Sequence, residues 1–336
     1  MAQNLAFISP HLTTSNVGDL FINDSVKRIL VFDREHSTDI DPRRPITPRD
    51  IDEINQRDAA VIVGTNLWYR SLRKEGRWMF SADDLRTIRV PIIPFGVGTT
   101  RHTGEDNRFD ADTLEQLRII HGGCRLASVR DPRTLQCLTE AGVANVVMTG
   151  CPTLFRSLRP QWRLAEKDHA RVVVTVRKGQ ARNIRRLIML LKRRNLEPVV
   201  AAQVQNDNFL RRSIPFIRKP VTTLYQFDIR PYLDLVEQSR GAIGWRLHGN
   251  MLHLAHGNRA AFFANCSRAN SFCEHFCLPC TPCEDGAPLE DAQLEEMIDR
   301  LLDDAMFAHF APVYEKTRAA MAAFLEANNL QHNLRS

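Results

Sequence analysis

The chain has 336 residues, 43% hydrophobic and 25% charged, a balance that excludes global disorder and, at this length, favours two domains over one. Lys and Arg exceed Asp and Glu by 45 to 39, giving a net charge of +6 and a pI near 9.0. An anionic partner is therefore expected (a phosphorylated small molecule, an acidic glycan or a membrane face), whereas nucleic acid is not, since zinc-finger spacing and aromatic-interleaved basic motifs are missing. No apolar run approaches the roughly 20 residues of a membrane-spanning helix. The first twelve residues lack the pattern of a secretion signal, so a cytoplasmic location is expected.

Short apolar runs alternate with helical patterns along the chain, the mark of parallel α/β units. A strand is predicted at Leu5–Ile8, followed by Asn16-Val17-Gly18-Asp19 opening a helix. Gly18 allows close backbone approach and the helix start can attract an anion, while Asp19 equally suits a simple cap. Strands follow at Ala59–Val63 and Ile92–Phe95, and Ser81 is placed to cap a helix ahead of Asp83 and Asp84. After the second of these strands, Gly96-Val97-Gly98-Thr99-Thr100 could cradle a phosphate or form an ordinary tight turn. A strand at Leu126–Val129 delivers Arg130, suited to a fork-like grip on phosphate or carboxylate, or to a salt bridge. Asp131 caps the next helix, with Pro132 at its first position and Gly142 beyond its end. Val146–Met148 completes the first series.

The stretch Arg156–His169, with Pro160 and Trp162, interrupts the alternation, and the domain junction is placed there, giving domains 1–158 and 165–336. Strand Val172–Val176 ends in a further cation, Arg177. The helix Ala181–Arg194 carries six cations around Leu187–Leu191; it could rest on an anionic membrane or show a solvated basic face over a buried one. Strands Pro198–Ala202, Ala242–Trp245 and Ala260–Ala264 alternate with helices Pro231–Ser239 and Gly249–His256. Two helices, Leu289–Asp303 and Pro312–Ala327, close the chain.

Arg246 and His248 lie one residue apart in Gly244-Trp245-Arg246-Leu247-His248-Gly249-Asn250, and as strand-end residues they are expected on one side. They pair a fixed cation with a side chain that exchanges protons near neutral pH, although a backbone-satisfied histidine fits the same pattern. His253 and His256 lack an obvious acidic third ligand and read as packed or solvated. Five of the eight cysteines, Cys266, Cys273, Cys277, Cys280 and Cys283, crowd together. Cys273-x3-Cys277-x2-Cys280 has an iron–sulfur spacing, but small packed thiols are the preferred reading. No metal or cofactor is required. The fold expected is α/β, with two Rossmann-like doubly wound domains facing a cleft outside the carboxyl ends of their strands.

In order, Asn16-Val17-Gly18-Asp19, Ser128-Val129-Arg130-Asp131 with Gly142, Gly150-Cys151-Pro152-Thr153, Arg246-Leu247-His248 and Ala255-His256-Gly257-Asn258-Arg259 resemble the polysaccharide pyruvyl transferase family. The resemblance runs from about residue 13 to about residue 280. It implies a GT-B-like pair of domains and transfer of pyruvate from phosphoenolpyruvate to sugar hydroxyls of a polysaccharide or lipid-linked glycan precursor, usually as a ketal. It further implies that Arg246 holds the donor and His248 is the general acid. Arg130 or Arg177 would be a second cation, the N-terminal domain the acceptor side and the C-terminal domain the donor side. Asp19 could assist the acceptor hydroxyl, and Asn16, Gly18, Gly96 and Gly98 would form acceptor or phosphate loops. Two rivals share the sequence features: a nucleotide-sugar glycosyltransferase of the same fold, and a metal- or cluster-binding protein built on the crowded cysteines.

Overall fold

The computed structural model describes residues 2–73, 76–99, 109–167, 169–205, 207, 223–224 and 228–334; Thr100, at the end of the glycine-containing loop, lies outside them. The chain divides into two compact units. Unit 1 comprises Met1–Thr14, Ile22–Pro160 and Glu315–Ser336, and unit 2 comprises Ser15–Phe21 and Gln161–Tyr314. Where the sequence suggested two continuous domains, two segments cross over, and both follow their apolar side chains. Val17 and Phe21 pack with Val173, Ala201 and Tyr232 of unit 2, and Phe324 packs on Phe95 of unit 1.

Unit 1 carries strands β1 (Leu5–Ile8), β2 (Thr38–Ile40), β3 (Ala59–Val63), β4 (Asn66–Trp68), β5 (Ile92–Phe95), β6 (Gly98–Thr99), β7 (Ala127–Val129) and β8 (Val146–Met148). Its helices are α1 (Val17–Ile29), whose first turns belong to unit 2, α2 (Pro48–Asn55), α3 (Ala82–Thr87), α4 (Ala111–Gly122) and α5 (Pro132–Glu140). The main sheet is parallel in the order β2-β1-β3-β5, with β4–β6 and β7–β8 as short parallel pairs. Residues of β1, β3 and β5 are buried throughout, as expected of parallel strands covered on both faces. Helix starts follow the capping residues. Asp131 Oδ1 accepts from Thr134 N at 2.8 Å, and Ser81 and Asp84 form a reciprocal capping box.

Unit 2 carries β9 (Arg171–Val176), β10 (Glu197–Ala202), β11 (Thr223–Leu224), β12 (Gly241–Gly244), β13 (Arg259–Ala264) and β14 (Cys280–Pro282). Between and after them run α6 (Ala181–Arg193), α7 (Arg230–Glu237), α8 (Leu247–Ala255), α9 (Ser267–His275) and α10 (Asp291–Leu302), while α11 (Phe310–Ala327) belongs to unit 2 only up to Tyr314 and to unit 1 from Glu315. The six strands are parallel in the order β11-β10-β9-β12-β13-β14. The chain thus winds outward from β9 to β11, then returns to the other side of β9 at β12. That reversal is the switch point of a doubly wound sheet, where the connections leaving two neighbouring strands part in opposite directions and leave room for a ligand.

The basic helix α6 does not offer an apolar face for a membrane. Ile184, Leu187, Ile188 and Leu191 are buried with Val174, Ile243 and Met297. Arg186 and Arg194 donate to Asp291 and Asp299 of α10 at 2.8 and 2.5 Å. The stripe that would enter a lipid surface is spent on the core. Among the described residues no helix is long and apolar enough to cross a membrane.

His121 of α4 is buried beside the Trp68 ring, at 6.1 Å between centroids. Among the described residues neither ring nitrogen has a hydrogen-bond partner. Burial lowers its pKa to about 4, against about 6.5 in the unfolded chain. Below pH 6.5 the unfolded chain therefore binds a proton that the folded chain refuses. Stability falls as pH drops from 6.5 towards 4, by at most about 1.4 kcal/mol per pH unit for this group. His253 of α8, lowered to about 3 by burial, acts with the same sign. Urea midpoints across this window should decline with acid, and His121→Leu should flatten the decline.

Candidate active site

The switch point is built by one glycine and one asparagine. Gly244 ends β12 at φ +148°, and a Cβ there would lie 2.2 Å from Thr175 O at the end of β9. No other residue fits so close to a neighbouring backbone. Trp245 N then donates to Thr175 O at 2.9 Å. Asn250, in the first turns of α8, is fully buried. Its amide donates to Gly244 O at 3.2 Å and Ala261 O at 2.9 Å, and its oxygen accepts from Thr175 Oγ1 at 2.7 Å. One side chain thereby ties the start of α8 to β9, β12 and β13.

Arg246 is the N-cap residue of α8 and His248 lies in its first turn. Because β12 ends at Gly244, strand alternation does not place them, contrary to the sequence argument; the helix start does. Arg246 Nε donates to Val176 O at 3.0 Å and to Asp207 Oδ2 at 2.9 Å, and Nη2 donates to Asp207 Oδ1 at 2.6 Å. Among the described residues Nη1 donates to no protein acceptor. Burial pulls the guanidinium pKa down and Asp207 opposes it; an arginine remains charged under such conditions. Asp207 is fully buried and also accepts from Lys178 N at 3.0 Å.

Arg177, just past β9, grips Asp285 with two bonds of 2.9 and 2.8 Å. These bonds hold the Asp285 carboxyl below the usual carboxylate range. The charges of Arg177 and Asp285 both act on Arg246. The structure therefore brings two of the predicted cations, Arg246 and Arg177, into one network with Asp207 and Asp285.

The segment Asn16–Asp19 belongs to the same unit. Val17 N donates to Gln203 O at 2.9 Å, and Asn16 Oδ1 accepts from Gly18 N and from Gln203 Nε2, both at 3.0 Å. Gln203, just beyond β10, also accepts from Gly249 N at 3.1 Å through Oε1. A Cβ on Gly18 would lie 2.4 Å from Gln203 Nε2 and 3.1 Å from His248 Nδ1. Gly18 is thus small so that Gln203 and His248 can approach. His248 is buried to 8% exposure and Asp19 to 6%.

Gly96, Gly98 and Arg130 lie in unit 1, and the loop is not a phosphate cradle. Gly96 N donates to Ser128 Oγ, Val97 N to Ser128 O, Gly98 N to Thr65 O and Thr99 N to Thr134 Oγ1, at 2.8–3.1 Å. With every described amide of the loop engaged, none is left to hold an anion. Gly96, at φ +66°, makes room for Pro152, whose Cδ would lie 2.4 Å from a Cβ. Gly98 makes room for Arg130, whose Nε would lie 2.3 Å from one. Arg130 is itself only 2% exposed, with Asp131 at 3.9 Å. It is a buried cation packed on a loop, where the sequence suggested a strand-end side chain reaching outward.

Gln203, Asp207, Thr175, Asn250 and Asp285 escaped the sequence reading. Gln203 was within reach, being a polar residue directly after a strand; Asp285 joins Arg177 across 108 positions and leaves no local signal. Among the described residues no three His, Cys, Asp or Glu side chains gather as a metal site, so the crowded cysteines do not form one there.

Removing a carboxylate from a buried pair leaves its partner's charge uncompensated, which costs about 3–5 kcal/mol. Asp207→Ala should destabilise the protein by about that amount in urea titration. Adding Arg246→Met should restore much of the loss.

The fold has counterparts among known proteins. A sequence model of the family described as polysaccharide pyruvyl transferase matches residues 16–267. No curated protein matches the sequence. Among solved structures, a Listeria monocytogenes protein described as a UDP-N-acetylglucosamine 2-epimerase is similar with a TM-score of 0.56 at 9% identity, over 97% of this chain and 98% of that one. The Neisseria meningitidis UDP-GlcNAc 2-epimerase bound to UDP-GlcNAc is similar at 0.53 and 9%, over 96% and 99%. Anabaena HepE, in complex with UDP and glucose, is similar at 0.50 and 11%, over 97% of each chain. These likenesses establish the fold, two Rossmann-like α/β units. The family match spans well over half of the sequence, and the chain belongs to the polysaccharide pyruvyl transferase family of transferases.

Proposed function

We propose that this chain moves the pyruvyl group of phosphoenolpyruvate onto hydroxyls of a glycan or lipid-linked sugar, closing a ketal. The observation that carries the reading is the Arg246–Arg177 charge network at the switch point of unit 2, with His248 two positions after Arg246 in the first turn of α8. The donor brings a carboxylate and a phosphate, and two guanidiniums are a fitting match for that charge and shape. Arg246 keeps its Nη1 edge for the donor while Asp207 fixes the rest of its fork. Arg177, one-third exposed, is the second cation in this scheme, in preference to the buried Arg130. Unit 2 is then the donor side.

In the reaction, His248 protonates the methylene carbon of phosphoenolpyruvate, which leaves cationic character on the central carbon. A sugar hydroxyl attacks that carbon and gives up its proton, for which Asp19 is the assigned acceptor. Phosphate then departs with the C–O bond electrons and takes the proton held by Asp19, and a second hydroxyl of the same sugar forms the second C–O bond of the ketal as its proton returns to His248. Gln203 serves by holding Asn16 and the start of α8 in register, so that the imidazole is positioned before the donor arrives.

A second reading is favoured by one observation: the similar structures include ones solved with UDP, with UDP-GlcNAc and with UDP and glucose. A nucleotide-sugar transferase would place its diphosphate against the same cations. Incubation with saccharide acceptors and either phosphoenolpyruvate or UDP-sugars separates the two readings. Phosphate release with the former alone supports pyruvyl transfer, and UDP release with the latter replaces it. In the first case His248→Ala should lower kcat by about 100- to 10,000-fold while donor affinity stays nearly unchanged. Arg246→Ala should weaken donor binding itself. Full activity in both variants would remove the site assignment.

A further inference from the structure

The crowded cysteines have a geometry of their own, remote in sequence from Arg246 and His248. Helix α9 connects β13 to β14 and packs against both. β14 is the edge strand, with Cys280 paired to Phe262. Asn270 and Cys273 lie one turn apart on α9 and so share a face. Asn270 Oδ1 is 3.7 Å from Cys280 Sγ, which sets Cys280 against the face of α9 that carries Cys273, and each of the two thiols influences the ionisation of the other. Leu278 N bonds Cys273 O at 2.9 Å, which folds the intervening turn back on the helix.

The two sulfurs differ in chemistry. Cys273 is 1% exposed, and burial pushes its thiol well above the ordinary range. Cys280 is half-buried; the hydrogen bond from Cys273 and the nearby Arg300 charge favour its thiolate, against burial and Glu274. Arg300 Nη1 also donates to Cys280 O at 3.2 Å, which fixes the strand beside that charge. The other three members of the cluster are placed differently: Cys266 is the half-buried N-cap residue of α9, Cys277 is exposed at φ +53° and Cys283 is buried near Gln180.

We propose that Cys273 and Cys280 form a reversible dithiol–disulfide pair that responds to peroxide and clamps α9 to the edge strand. Cys280 is the attacking sulfur because it is the more exposed and the more readily ionised. Its thiolate attacks one oxygen of hydrogen peroxide, the O–O bond breaks, and the departing hydroxide takes up the proton that the Cys280 thiol released on ionising, leaving a sulfenic acid and one water. The Cys273 sulfur then attacks the sulfenic sulfur, forming the S–S bond, and its proton leaves with the departing hydroxide as a second water. Two electrons pass from the sulfurs to the peroxide. A dithiol reductant returns them by exchange through the accessible Cys280 sulfur.

Peptide mapping of the intact protein tests this directly. After hydrogen peroxide, the remaining thiols are alkylated and the chain is cleaved at glutamates, which parts the fragment with Cys266 and Cys273 from the one with Cys277, Cys280 and Cys283 at Glu274. Alkylated cysteines should fall from eight to six, and fragmentation should join Cys273 to Cys280. Dithiothreitol should restore all eight. In Cys273→Ser, a 1,3-dione probe should label Cys280 as trapped sulfenic acid, with little labelling in the parent protein. A bond from Cys273 to Cys277 or Cys283 would overturn the proposal, as would eight alkylatable thiols after a tenfold excess of peroxide. The parent map stands whether or not the variant folds.

Discussion

The site of unit 2 depends on how tightly β12 can pass the end of β9. The distance from a hypothetical Cβ at residue 244 to Thr175 O is 2.2 Å, well inside van der Waals contact, so the turn exists only because the side chain is a hydrogen atom. Several features follow from that closeness. Trp245 can reach Thr175 O, Arg246 N can reach Thr175 Oγ1, and Asn250 can span three strand ends. A looser turn would leave Asn250 with buried hydrogen-bonding groups unmatched, each a penalty of about 1–3 kcal/mol. The rigidity of the start of α8 is thus a consequence of backbone packing, and the functional side chains inherit it.

Electrostatics sets the second level. Two guanidiniums in one partly buried region repel each other and are costly to desolvate. Here each has a carboxylate gripping it by two bonds, Asp207 on Arg246 and Asp285 on Arg177. The four charges sum to zero, so the region is stable without a bound anion. A doubly anionic ligand gains only from the guanidinium edges that the carboxylates leave open. The arrangement favours selectivity for ligand shape over indiscriminate anion capture, because an ion that cannot meet those edges finds neutralised partners.

How much of this was legible in the sequence follows from the range of the interactions. Strands such as Ala59–Val63 and Ile92–Phe95 were readable because parallel strands buried on both faces are continuous apolar runs. The capped start at Asp131 was readable because capping acts within three residues. The Arg-Leu-His element could be found as a motif, but its placement could not, since the strand ends one residue earlier than its apolar character suggested. Asp207 and Asp285 were unreadable because their partners are 39 and 108 positions away. The affiliation of Ser15–Phe21 with unit 2 was equally hidden, being decided by Phe21 meeting Tyr232 at 5.3 Å.

Glycine shows why residue type alone misleads. Gly18, Gly96, Gly98 and Gly244 each sit near the carboxyl end of a strand, where a phosphate loop is the natural guess. In each case the missing Cβ admits a protein atom: Gln203 at Gly18, Pro152 at Gly96, Arg130 at Gly98 and Thr175 at Gly244. What separates a close-packing glycine from an anion-binding one is the fate of the surrounding amides. A cradle needs several N–H groups turned to one empty point, and from Gly96 to Thr99 all four are bonded to protein oxygens. From Gly96 to Thr99 the glycines therefore serve close packing of the chain on itself.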